Sequence, residues 1–187
     1  GAAINALARA VGASVTVVDA GVVGEIPKDD DPPQARLISA RIRAGTGDMS
    51  VGPAMARVEA LRAIALGLEV ADGLARDGVD LLGVGEMGIG NTTAASTITA
   101  AMTGLPPGRV TGRGTGIDDE THRHKVEVVA RALERNRPDP VDPVGVLAAV
   151  GGLEVGVLVG LMLGAAAARI PVILDGFITG AAALLTA

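Results

Sequence analysis

Gly83-Val-Gly-Glu-Met-Gly-Ile-Gly-Asn-Thr-Thr93 is the stretch on which the fold turns. Before it stands a short apolar run, Val79-Asp-Leu-Leu82, which reads as a buried strand. After it, the small residues of segment 94–103 read as a helix. Strand, glycine turn and helix in that order make an anion site, because the first amides of a helix have no internal partners and point outward. Gly85, Gly88 and Gly90 lack a Cβ, so a phosphate can approach the backbone closely and positive φ costs little. Asn91 and Thr92 can cap the helix or donate to the anion. A helix terminus contributes about 0.3–2 kcal/mol to holding an anion, and each hydrogen bond to a charged group roughly 1.5–3 kcal/mol. A phosphate-bearing ligand is therefore expected here.

A plain tight turn is the competing reading, and so is a dinucleotide site, since Gly83, Gly85 and Gly88 fit G-x-G-x-x-G. A dinucleotide site expects an acid about 20 residues on, at the end of the next strand. That region is Thr103-Gly-Leu-Pro-Pro-Gly108, with neither strand nor acid. No Gly-Lys-Ser/Thr follows either, which rules out the Walker pattern. A mononucleotide or sugar phosphate fits better than NAD or ATP.

Working outward, helices and strands alternate. A helix ends near Val11, with Ile4, Leu7, Ala8 and Val11 on one face; segment 14–18 is a strand, and segment 36–43 a second. Between them, residues 24–34 form an exposed connection, where Asp29-Asp-Asp31 reads as solvated loop and not as a metal site. Segment 53–76 is an amphipathic helix with Pro53 at its first position, Val58, Leu61, Ala65 and Leu68 inward, and Arg57, Glu59, Arg62 and Glu69 in water. Beyond the glycine loop, residues 105–116 hold a second glycine cluster, and Asp118 is the expected cap of a helix to about Asn136, with Val126, Val129, Ala130 and Leu133 inward. A short helix to Val150, an apolar helix over 155–168, a buried strand over 170–174 and a last helix from Phe177 complete the chain. This alternation argues an α/β layered fold with a mostly parallel sheet, in one domain spanning 1–187. Ligands in such sheets bind beyond the carboxyl ends of strands, where the turns after Leu82 and Leu174 lie.

Composition narrows the function. Net charge is −5 and Phe177 is the only aromatic residue, which disfavours nucleic-acid binding. The absence of Cys excludes disulfides and thiolate chemistry. No secretory signal stands in these residues, so the cytoplasm is the expected compartment. The apolar stretch 155–168, with Gly156, Gly160 and Gly164 four apart, is too short to span a bilayer and reads as a buried helix or a subunit interface. The start at Gly1 and the apolar end suggest a fragment of something longer.

Glu86 sits inside the glycine loop, where a bound phosphate would repel it. A ligand N–H or hydroxyl, or a proton to be drawn, is its functional reading; a helix cap or an Arg partner is the structural one. Lys125, one of only two lysines, can reach a phosphate from the helix behind the second glycine cluster, or can be a surface lysine. His122 and His124 do not share a helix face and read as exposed, Asp118 and Asp119 as cap and surface. Asp175 either orients its loop or touches a ribose hydroxyl.

Gly85-Glu-Met-Gly-Ile-Gly-Asn-Thr-Thr93, Thr111-Gly-Arg-Gly-Thr-Gly-Ile-Asp-Asp119, Gly151-Gly-Leu-Glu154 and Pro171-Val-Ile-Leu-Asp-Gly-Phe-Ile178 stand in one order. Together they resemble the nicotinate-nucleotide–dimethylbenzimidazole phosphoribosyltransferase family, over nearly the whole chain. The resemblance implies a Rossmann-like three-layer α/β/α sandwich with a small second domain, assembled as a homodimer. It implies phosphoribosyl transfer from nicotinate mononucleotide to 5,6-dimethylbenzimidazole, giving α-ribazole 5′-phosphate and nicotinate, with no metal or cofactor. By the same resemblance Gly88, Ile89, Gly90 and Asn91 hold the phosphate, helped by Gly114, Lys125 and Gly176, and Glu86 contacts the benzimidazole side. Family members are longer on both sides, and their principal base is a glutamate that would lie beyond Ala187. The chain alone is accordingly expected to bind phosphate weakly and turn over little.

Overall fold

A computed structural model describes residues 3–24, 26 and 35–187. The chain divides into two compact units, Gly1–Gly45 and Thr46–Ala187, each described by itself. The architecture is α/β with parallel strand pairing, as the alternation implies.

In the first unit, helix α1 (Ala3–Val11) leads into β1 (Val15–Asp19), which pairs in parallel with β2 (Ala35–Ser39), Val17 opposite Leu37. Most of the acidic and proline-rich connection lies outside the described residues. β1 ends in Asp19, almost fully buried, whose carboxylate accepts from the Gly21 amide at 3.0 Å, the Val22 amide at 2.9 Å and Arg41 at 3.2 Å. Burial pushes this carboxyl up, but the Val22 amide, the Arg41 guanidinium and the Gly21 amide together outweigh it and hold it below its ordinary value. Its stability contribution is thus present above the ordinary carboxylate pKa and lost as pH falls through the lowered one. Asp19→Ala should destabilise this unit by about 1–3 kcal/mol, by stranding the donors it satisfies, read as a lower urea midpoint.

The second unit is built on two packed helices, α2 (Arg57–Arg76) and α7 (Leu153–Ala167). Their contact is made of small residues. α2 buries Ala60, Ala63, Gly67, Val70 and Ala71, against which α7 presents Gly156, Gly160 and Gly164. A Cβ on Gly156 would lie 2.6 Å from the Ala63 Cβ, one on Gly164 2.5 Å from the Ala71 Cβ, and one on Gly160 inside the Ile64 carbonyl. The glycine spacing of α7 thus serves packing within this unit, and among the described residues no helix is long and apolar enough to cross a membrane. The face expected for α2 is the wrong one: Val58, Leu61 and Leu68 are exposed by 55%, 48% and 41%. Two backbones this close leave room for alanine and glycine only, so the small-residue stripe turned inward in place of the larger apolar one.

α2 also begins later than expected, at Arg57. Pro53 lies before it, because the Ala54 and Met55 amides donate to the Ala149 and Ala148 carbonyls and hold that segment extended. The Ala56 amide donates to Glu59 at 2.8 Å, closing the start of the helix. After α2 come β3 (Leu82–Val84), α3 (Asn91–Thr103), α4 (Pro107–Val110), α5 (Asp119–Asn136), α6 (Pro143–Val150), β4 (Val172–Leu174) and α8 (Phe177–Leu184). β3 runs two residues further than the apolar run suggested, and pairs in parallel with β4, Leu82 opposite Val172. β4 is not the buried strand expected: Ile173 and Leu174 are about half exposed, since a sheet of two strands leaves both as edges. The one-turn α4 lies where the sequence reading had only loop, with Pro107 at its first position. α5 is capped by Asp118, as expected, and buries Val129 and Ala132, while Ala130 faces out. Asp142 caps α6 and pairs with Arg57 of α2 at 2.5 Å.

Candidate active site

The second unit carries glycine-rich turns at the ends of both its strands and ahead of α5. β3 and β4 are parallel, so the turns leaving them, 85–90 and 175–176, stand at the same edge of their sheet. At the first turn, Gly90 adopts φ +81° as the N-cap of α3, a conformation glycine takes without strain. No side chain caps α3. Asn91 is its first helical residue and turns its carboxamide to Glu86, so of its two expected roles, cap or anion donor, the cap is not the one it takes. Met87 and Ile89 are fully exposed, so the apex of the loop is open.

Lys125 reaches forward from α5. Its Nζ donates to Thr92 Oγ1 at 2.8 Å and to the Gly112 carbonyl at 3.2 Å. Gly114, at φ +58°, leaves the space beside it open, and a Cβ there would meet both Lys125 Nζ and Thr92 Oγ1 at 3.6 Å. These groups line a cavity of about 450 Å³, together with Arg109, Thr111 and Phe177. Burial pulls the Lys125 ammonium below its ordinary pKa. Among the described residues no carboxylate lies within ion-pair distance of it. A half-buried cation that lines a cavity and, among the described residues, has only neutral partners is arranged to receive an anion.

The structure therefore brings Thr92, Gly114 and Lys125 together around one cavity, with Gly176 next to the lining Phe177. Gly88, Ile89 and Gly90 form the exposed loop that leads into α3, and do not line that cavity themselves. Glu86 and Asn91 pair with each other, and Asp175 is exposed at the end of β4. Among the described residues no group of acids and histidines is placed to hold a metal.

Three residues escaped the sequence reading. His122 is half-buried, not exposed: its Nε2 lies 2.8 Å from the Thr111 carbonyl and, since a carbonyl only accepts, carries the proton. This bond pins the start of the second glycine cluster, whose turn is closed by Arg113 pairing with Asp119 and donating to the Ile117 carbonyl at 2.9 Å. Thr111 Oγ1, beside the cavity, is buried without a partner. Glu154, at the start of α7, is half-buried, and the sequence analysis gives it no role of its own. A lone acid after Gly-Gly on an otherwise apolar helix was the available signal.

A family model described as "Phosphoribosyltransferase" matches residues 1–187. The chain belongs to this phosphoribosyltransferase family. It is similar to the nicotinate-nucleotide–dimethylbenzimidazole phosphoribosyltransferase of Chloroflexus aggregans, 54% identical over all of this chain and 52% of that protein. The protein of the same name in Desulforudis audaxviator is 53% identical over 99% of this chain and 51% of its own length. The crystal structure of CobT from Thermus thermophilus superposes over the whole chain and 54% of its own, with TM-score 0.90 and 47% identity. The chain spans about half the length of the curated relatives it matches. As a member of the phosphoribosyltransferase family it shares the α/β fold of these relatives, and its glycine turns and Lys125 fall within the matched region.

Proposed function

We propose that the chain is the phosphate-binding core of an enzyme that transfers phosphoribose from nicotinate mononucleotide to 5,6-dimethylbenzimidazole. The observation that carries this reading is Lys125, a half-buried ammonium that among the described residues has no carboxylate partner, held to Thr92 at the start of α3 and to the second glycine cluster. In this reading the 5′-phosphate lies between the amides of Gly88, Ile89, Gly90 and Asn91 and the Lys125 ammonium, with Gly114 and Gly176 giving it room. Asp175 takes a ribose hydroxyl, and Glu86 stands on the acceptor side.

The chemistry asks little else of these residues. A benzimidazole nitrogen attacks the anomeric carbon with its lone pair; the bond to the pyridinium nitrogen breaks, and nicotinate leaves with that pair. The attacking base then loses its remaining N–H proton to a carboxylate. Holding donor and acceptor in line is the larger part of such catalysis. The principal base belongs, by the family resemblance, to the part of the relatives that this chain does not span. The same reading makes the enzyme a cytoplasmic homodimer acting on small molecules.

The test is to incubate the full-length protein with nicotinate mononucleotide and 5,6-dimethylbenzimidazole and measure free nicotinate and α-ribazole 5′-phosphate. Both should form in equal amounts, and only when both substrates are present. Folded protein that releases no nicotinate would refute the proposal. The 187 residues alone should be far slower; equal rates would refute the placement of the principal base outside them.

A further inference from the structure

The hydroxyl of Thr92 is used differently from those of other threonines in α3. Thr97, Thr99 and Thr103 donate to the carbonyls one turn back, those of Thr93, Ala95 and Thr99, at 2.8, 2.8 and 2.6 Å. α3 begins at Asn91, so no carbonyl of the helix lies one turn before Thr92. Its Oγ1 stands 2.8 Å from Lys125 Nζ instead. An ammonium has only donors, so Thr92 accepts in this bond and its own O–H remains to be donated. Among the described residues no hydrogen bond takes up that O–H. Thr92 is half-buried and lines the same cavity as Lys125 and Gly114. A Cβ on Gly114 would lie 3.6 Å from Thr92 Oγ1 and 3.6 Å from Lys125 Nζ, so both groups border the space that this glycine leaves.

We propose that Thr92 is a ligand-binding residue: its hydroxyl accepts from Lys125 and donates to a phosphate oxygen of the ligand in this cavity. This rests on the phosphoribosyltransferase reading of the site, which puts the phosphate beside the Lys125 ammonium. The bond to Lys125 is what aims the donor. With the ammonium N–H directed at the oxygen, the O–H turns away from Nζ, since two hydrogens facing each other repel. A hydrogen bond received from a cation also strengthens the O–H as a donor. The two side chains then divide the work: the lysine supplies a point charge on a flexible stem, and the threonine a donor of fixed direction. The amides of Gly88, Ile89 and Gly90 do not line this cavity, so its wall on the α3 side is Thr92. Holding the lysine in place does not need the hydroxyl, because the Gly112 carbonyl already accepts from Nζ at 3.2 Å.

The test uses the full-length protein with Thr92→Val and Thr92→Ser, and with Thr92→Val combined with Lys125→Met. The Kd is measured for nicotinate mononucleotide and for inorganic phosphate, with thermal midpoints confirming that each variant is folded. Thr92→Val removes the hydroxyl and keeps the shape, and should weaken both ligands about 10-fold or more. Thr92→Ser returns an O–H to the same place and should stay within about threefold of the wild type. A hydroxyl that touches the ligand matters even without the lysine. Added to Lys125→Met, Thr92→Val should therefore still cost about threefold or more. Normal binding by Thr92→Val overturns the inference. So does a Thr92→Val change that costs nothing further in Lys125→Met, which would reduce the hydroxyl to an anchor of the lysine. Wild-type protein that binds inorganic phosphate but not nicotinate mononucleotide refutes the functional reading instead, and the phosphate series still decides the role of Thr92. Wild-type protein that binds neither overturns both.

Discussion

Gly160→Ala is expected to destabilise the protein by about 3 kcal/mol or more, whereas Gly73→Ala should stabilise it by about 0.5–1 kcal/mol. Both glycines are in helices, α7 and α2, so helix propensity alone predicts a gain of up to about 1 kcal/mol for each. The surroundings reverse the sign at one position. A Cβ at Gly160 would fall inside the Ile64 carbonyl oxygen, 2.8 Å from its carbon and 3.0 Å from the Gly67 Cα. These are backbone atoms, so no rotamer change can relieve the clash. The two helices would have to separate, opening the contact of Gly156 with Ala63 and of Gly164 with Ala71. A Cβ on Gly73 would meet nothing within 4 Å beyond its own helix backbone, so the added methyl only restricts the unfolded chain. At roughly 2–4 °C per kcal/mol, the first variant should melt about 6–12 °C lower and the second slightly higher. Equal shifts in the two would mean that α2 and α7 do not pack backbone to backbone.

The same pair of helices marks where the sequence was legible and where it was not. Turn chemistry was read well, because a cap or a glycine acts locally. Asp118 capping α5, the helix starting after Gly152 and the helix entered from Phe177 all follow from neighbours within four residues. The buried face of α2 was not, because periodicity records large apolar residues, and this interface selects small ones. Val58, Leu61 and Leu68 repeat at helical spacing but stay exposed, while Ala60, Ala63 and Gly67 enter the contact. For the candidate site, Lys125 could be singled out for its rarity, and the second glycine cluster for its pattern. The contact of Lys125 with Thr92 spans 33 residues, and no spacing rule encodes it.

Replacing Lys125 by methionine should weaken binding of nicotinate mononucleotide about 10- to 150-fold, the equivalent of losing one charged hydrogen bond of roughly 1.5–3 kcal/mol. The free protein should keep its stability or gain slightly, because the substitution removes a half-buried charge that, among the described residues, has no opposite charge beside it. That opposite movement of affinity and stability separates a ligand-binding lysine from a structural one, which would lose both. The pH dependence has a definite sign. Burial lowers the folded pKa of Lys125 below its ordinary 10.5, so between the lowered value and 10.5 the unfolded chain holds more protons than the folded one. Stability from this group therefore rises with pH across that window, and the folded protein's penalty is fully present below it. Phosphate binding runs the other way: it needs the ammonium, so affinity should fall as pH rises through the lowered pKa. A bound phosphate favours the charged form, so binding within the window should take up protons, visible by calorimetry in buffers of different ionisation enthalpy. Lys125→Arg, which does not titrate there, should lose the alkaline fall even if its planar head binds less well. An affinity in the wild type that is flat up to pH 10.5, or a methionine variant that binds normally, would remove the lysine from the site. The cavity beside Gly114 would then need another cation to hold its ligand, and Arg109, lining the same cavity, is the next to replace.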